Sequence, residues 1–210
     1  MSTKAKITKA YMEFELMEGR VPHSVFELCK KIKIEEAAFY KLFVSLNSVQ
    51  EEILAEFLTL TQEIINKDPE YPNYNSREKT LAVFYTLFSQ FEKSRSYFLA
   101  KYSSLKDAPK QFKEWDSFMK KLDYQIECII QEAKQSAEII DRPYVGVHYS
   151  KGFKLIFTYI FRVWINDASE GFTTTDAAIE KSVNLSFDML GTSPLDSLID
   201  FGKFAFKTKI

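Results

Sequence analysis

Residues 24–45, SVFELCKKIKIEEAAFYKLFVS, constrain the fold of this chain more than any other stretch. Ser24 and Glu27 form an S-x-x-E capping signature, and Val25, Leu28 and Cys29 supply the inward face of a short helix. Ile32 and Ile34 flank a turn at Lys33. Ala38, Phe39, Leu42 and Phe43, two adjacent pairs one turn apart, give the inward face of a second short helix. Two short helices about a tight turn are a helix-turn-helix, a shape that presents one helix to the DNA major groove. The second helix nevertheless opens with Glu35 and Glu36, where a phosphate-binding surface calls for neutral or positive groups.

The flanking sequence is helical throughout. Ile7, Ala10, Tyr11, Phe14 and Met17 recur at three- and four-residue steps, and Gly19 follows as a C-terminal stop. A fourth helix starts near 45–48 and runs through Ile53, Leu54, Phe57, Leu58, Leu60 and Ile64 to the Asp68-Pro69-Glu70-Tyr71-Pro72 break. The pattern then predicts helices over about 76–94, from Pro109 to Ile140, and over about 147–167, 175–190 and 194–206, with a short segment around 97–102. Gly191 closes one of these and Pro194 opens the next. Six Gly and six Pro in 210 residues leave little room for the many tight turns of a sheet protein. The expected class is all-α: an N-terminal three-helix unit over 1–46 and a larger helical domain over 47–210, about nine to ten helices in all.

Nineteen Phe and eleven Tyr supply a sizeable core and argue against disorder. The net charge of −1 carries no nucleic-acid signature. Residues 1–50 hold eight Lys/Arg against six Asp/Glu, a surplus of two, which is a weak electrostatic footprint for a DNA-binding module. Cys29 and Cys128 both fall on apolar faces and read as buried hydrophobes in a reducing compartment. His23 and His148 sit in no metal-ligand spacing, so neither a metal nor a cofactor is expected. Met1 to Lys9 is polar and basic, and the most hydrophobic window, Phe153 to Ile165, is too short to span a bilayer and is broken by Arg162. The expected location is the cytoplasm, with no membrane partner. No nucleophile–base–acid set marks the chain as an enzyme, and no catalytic residue is assigned.

The first 58 residues resemble the TetR family. Phe14 to Gly19 matches an aromatic or Leu-rich helix end followed by Gly, and Ser24-Val25 matches the Ser/Thr-Val pair that opens helix two. Ile32-Lys33-Ile34 stands where that family has a hydrophobic-Gly-Val turn. Phe39-Tyr40-Lys41-Leu42-Phe43, followed by Ser45, matches the Leu/Phe-Tyr-x-x-Phe signature of the recognition helix. Glu35, Glu36, Ala38, Leu42 and Leu46 depart from the pattern, all toward the DNA side. The resemblance covers 5–58; beyond it the chain matches only in helix content.

What the resemblance implies is a ligand-responsive transcriptional regulator that binds a double-stranded DNA operator as a homodimer. Lys33, Glu36, Ala37, Tyr40 and Lys41 would face the DNA, with Lys30 and Lys31 nearby. Helices about 175–190 and 194–206 would form the dimer face, and an apolar small molecule would bind the larger domain. Phe84, Phe88, Phe91, Trp115, Phe118, Phe157, Phe161 and Trp164, with Tyr85 and Tyr124, are the candidate pocket wall, and Arg95, Arg142, His148 and Arg162 its polar handles. Aromatics at helical spacing equally fill a core. The alternative is a TetR-like fold that has lost DNA binding and binds a lipid or other hydrophobe.

Overall fold

The computed structural model describes residues 2–102, 113–141 and 149–191. Among them there is no strand. The order is α1 (Thr3–Glu18), α2 (Val25–Ile32), α3 (Glu36–Tyr40), α4 (Leu46–Ile65), α5 (Ser76–Glu92), α6 (Arg95–Tyr102), α7 (Asp116–Gln135), α8 (Tyr149–Ile165) and α9 (Thr173–Leu190). Short 3-10 turns over Tyr71–Asn73, Lys113–Trp115 and Glu170–Phe172 precede α5, α7 and α9. The chain is all-α, as its periodicity implies. The predicted helix 194–206 lies outside the described residues.

The helix ends follow local chemistry. Ser2 caps α1 by accepting from the Ala5 N–H, and Gly19 ends it at φ 63°, a left-handed conformation that costs a residue without Cβ nothing. Ser45 and Ser48 exchange side-chain and backbone bonds in a capping box on α4, and Asn75 and Glu78 do the same on α5. The helix read as running to Ile140 instead stops at Gln135. Ala137 takes φ 60°, the Ala137 N–H reaches the Lys134 carbonyl at 3.3 Å, and the Glu138 N–H reaches the Ala133 carbonyl at 2.9 Å. This is a Schellman ending with alanine where glycine is usual, so composition did not announce it.

α4 is the pivot of the molecule. It packs on α1 on one side and on α5 and α7 on the other, while α8 and α9 close the far side against α5 and α7. One hydrophobic core runs unbroken from Ile7 in α1 to Phe187 in α9. Some residues assigned inward lie at the surface instead. Met17 is 79% exposed because it lies on the last turn of α1, and Tyr124 is 75% exposed where it lines an open cleft between α4 and α7. Cys29 is buried as expected, whereas Cys128 is exposed. No helix among the described residues is long and apolar enough to cross a membrane.

Candidate nucleic-acid interface

The loop before α2 is fixed by one carboxylate. Ser24 accepts from the Glu27 N–H at 3.1 Å, but Glu27 does not return the bond to Ser24. It accepts from the His23 N–H at 2.6 Å and from both terminal nitrogens of Arg20, at 2.8 and 3.2 Å. These bonds hold the Glu27 carboxyl down at about 2, with Arg20 the largest cause and the His23 amide next. Arg20 also lies 4.9 Å over the Phe14 ring, so the clasp joins the end of α1 to the start of α2.

The turn after α2 depends on Lys33. Its φ is 57°, and its N–H closes back on the end of α2. Left-handed backbone explains why glycine suits this position and lysine is tolerated at a cost of about 1 kcal/mol. α3 then spans only Glu36–Tyr40. Phe39 and Phe43 are buried and anchor the unit, with their ring centroids 5.7 Å apart. Leu42, read as inward, is 45% exposed, because the helix has ended and a turn carries it outward.

Of the expected DNA-facing residues, Lys33, Ala37, Tyr40 and Lys41 are exposed and Glu36 is half-buried. Glu35 is the N-cap of α3 but makes no side-chain bond there. Lys31 is not part of an open positive surface: it lies 3.8 Å from Glu18 and 4.4 Å over the Phe14 ring. Sequence reasoning missed Phe26 at 59% exposure and Val44 at 83%, which with Leu42 place apolar groups beside the cations. Lys30 lies 5.9 Å over the Phe26 ring.

The eight expected pocket aromatics do come together, as a packed layer. Phe91 meets Phe88, Phe118, Phe157, Phe161 and Trp164 with centroids 5.4–6.4 Å apart. Trp115 meets Phe118, Phe157 and Phe161 at 5.0–5.6 Å, and Phe84 lies buried in the same core. All eight are at most 3% exposed. Arg95 seals one edge: it donates to the carbonyls of Trp164 at 2.8 Å and Asp167 at 2.9 Å and lies over the Trp164 ring. Arg162 lies exposed on α8, and Arg142 and His148 fall outside the described residues.

Three cavities among the described residues lie elsewhere. One of about 570 Å³ opens between α1, α4 and the α5–α6 corner, a second of about 480 Å³ between α4 and α7, and a third of about 520 Å³ beside Phe26. None of the eight rings lines any of them. Among the described residues, no group of three or more His, Cys, Asp or Glu side chains could hold a metal ion.

Residues 79–205 match the family described as "Tetracyclin repressor-like, C-terminal domain". No curated protein matches the chain significantly. Among solved structures, a protein with unknown function from Rhodococcus sp. RHA1 is similar over 91% of this chain and 97% of its own, with a TM-score of 0.56 and 16% sequence identity. At that identity the likeness concerns the fold alone.

Proposed function

Since this chain belongs to the TetR family, we propose that it is a ligand-responsive transcriptional regulator that binds an operator in double-stranded DNA as a homodimer. Residues 1–46 form the DNA-binding unit and 47–210 the effector and dimerisation unit. The observation that carries this is the presentation of α3: Phe39 and Phe43 hold it to the core while Ala37, Tyr40 and Lys41 stand outward. Tyr40 and Lys41 donate to phosphates, Lys33 extends the contact from the turn, and Glu36 accepts from a cytosine amino group. The dimer forms through α9 and the segment after it, about 175–206. Leu185 and Met189, four residues apart on α9, are 60% and 59% exposed and would be covered there. The protein acts in the cytoplasm, takes an apolar small-molecule effector, needs no cofactor and performs no catalysis.

A second function is favoured by a specific observation. Glu35, Glu36, Leu42 and Val44 surround α3 with acidic and apolar groups, which suits a TetR-fold protein that binds a hydrophobe and has lost DNA. Fluorescence anisotropy of labelled DNA from upstream of its own coding region, with unrelated DNA as competitor, separates the two. A regulator binds tightly and resists the competitor; a protein without an operator shows no competitor-resistant binding.

A further inference from the structure

α3 has a fixed rotational setting. Phe39 is fully buried and Phe43 is 4% exposed, so both rings hold the helix from one side. At 3.6 residues per turn, Ala37 and Lys41 stand roughly 160° around the axis from Phe39, in the middle of the outward side, and both are exposed. Glu36 and Tyr40, also one turn apart, form the flank beside them; Tyr40 is 54% exposed and Glu36 half-buried. The outward surface is therefore two rows of two, Ala37 with Lys41 and Glu36 with Tyr40.

The members of each row meet DNA differently. In a helix-turn-helix the first residues of the second helix reach the base edges. Glu36 and Ala37 lead their rows and are the base readers, while Tyr40 and Lys41 behind them are the phosphate donors of the docking proposed above. Residues 24–45 contain no Arg, Asn or Gln, side chains that take guanine or adenine edges in paired hydrogen bonds. The ionised carboxylates of Glu35 and Glu36 offer only acceptors, which oppose the O6 and N7 acceptors of guanine. Ala37 offers a methyl group and nothing else. Its counterpart on the major-groove edge of a base pair is the thymine C5-methyl.

We propose that Ala37 is a specificity-determining residue whose methyl group packs on the C5-methyl of one thymine in each operator half-site, beside the pair whose cytosine Glu36 reads. The assignment rests on the operator-binding function proposed above and goes beyond it by naming a base that α3 selects.

The test enriches duplexes of random sequence on the full chain, then replaces each thymine of the enriched site singly by deoxyuridine, which lacks only the methyl group. Anisotropy titrations should find one thymine per half-site whose replacement weakens binding about fourfold, the ~0.8 kcal/mol of one buried methyl group. Ala37→Gly should bring the affinity ratio of the two DNAs close to one. Lys41→Gln should weaken both DNAs alike and keep the ratio, as loss of a phosphate contact does. An enriched site in which no thymine methyl matters, or a ratio that survives Ala37→Gly, would overturn the assignment while leaving operator binding in place. Absence of any enriched sequence would overturn operator binding itself, and the assignment with it. The ratio measured on the unaltered chain needs no variant, so a poorly folded Ala37→Gly chain leaves the test decisive.

Discussion

Phe91 is the residue on which most of the aromatic layer turns. It is fully buried and reaches Phe57 and Phe98 as well as the rings of α7 and α8, so its removal leaves a hole that four helices border. Phe91→Ala should cost about 3–5 kcal/mol in chemical denaturation; a loss below 1 kcal/mol would mean that the layer collapses to refill the space. That these rings are buried was legible from their three- and four-residue spacing. That they fill one another was not, because interdigitation depends on which helices face each other. Glu27 is legible only in part for a related reason. The S-x-x-E spacing marks a helix start, but the partner that lowers its pKa, Arg20, comes from the preceding loop. Its contribution has a defined pH window. The folded pKa of about 2 lies below the unfolded carboxylate value, so the stabilisation is full above ~4.3 and lost as pH falls through about 2. Glu27→Gln should therefore lower the melting temperature near neutral pH and progressively less toward pH 2; an equal loss at both pH values would assign Glu27 a packing role only.

At the scale of elements, α1 is tied to α6 by a buried charged contact. Lys101 of α6 lies 3.4 Å from Glu15 of α1 and 3.7 Å from Glu114, and all three side chains are at most 17% exposed. Burial, with the Glu15 charge behind it, pushes the neighbouring Tyr97 hydroxyl well above its ordinary value. Removing the one cation leaves two carboxylates in a low-dielectric site, the costly way to break a buried pair. Lys101→Met should destabilise by roughly 3 kcal/mol, and adding Glu15→Gln and Glu114→Gln should restore most of it, read from urea denaturation midpoints. If the triple variant were no better than the single, packing of the lysine stem rather than charge would hold the contact. Nothing local could reveal this pairing, since its partners are 86 residues apart. Helix positions were readable because capping residues and prolines act within a few residues. The shortness of α3 and the Ala137 ending were not, since both depend on left-handed or turn backbone at residues that do not require it.

At the scale of the whole molecule, the positions read as facing DNA lie in the first 46 residues and the family match in the last two thirds, and α4 joins them. TetR membership was legible from the helix-two opening and the Phe39–Phe43 signature, although the match itself falls over 79–205. The exposed apolar groups around α3 had no sequence signal, because exposure is set by where the turn after Tyr40 points. Whether α3 meets DNA is the central question, and Lys41 is its most direct probe. Anisotropy titrations of operator DNA at two salt concentrations should show Lys41→Glu weakening binding uniformly across sequences and reducing the salt slope by about 1. An unchanged affinity and slope would mean that α3 does not face DNA, and the helix-turn-helix would then be scaffold rather than reader.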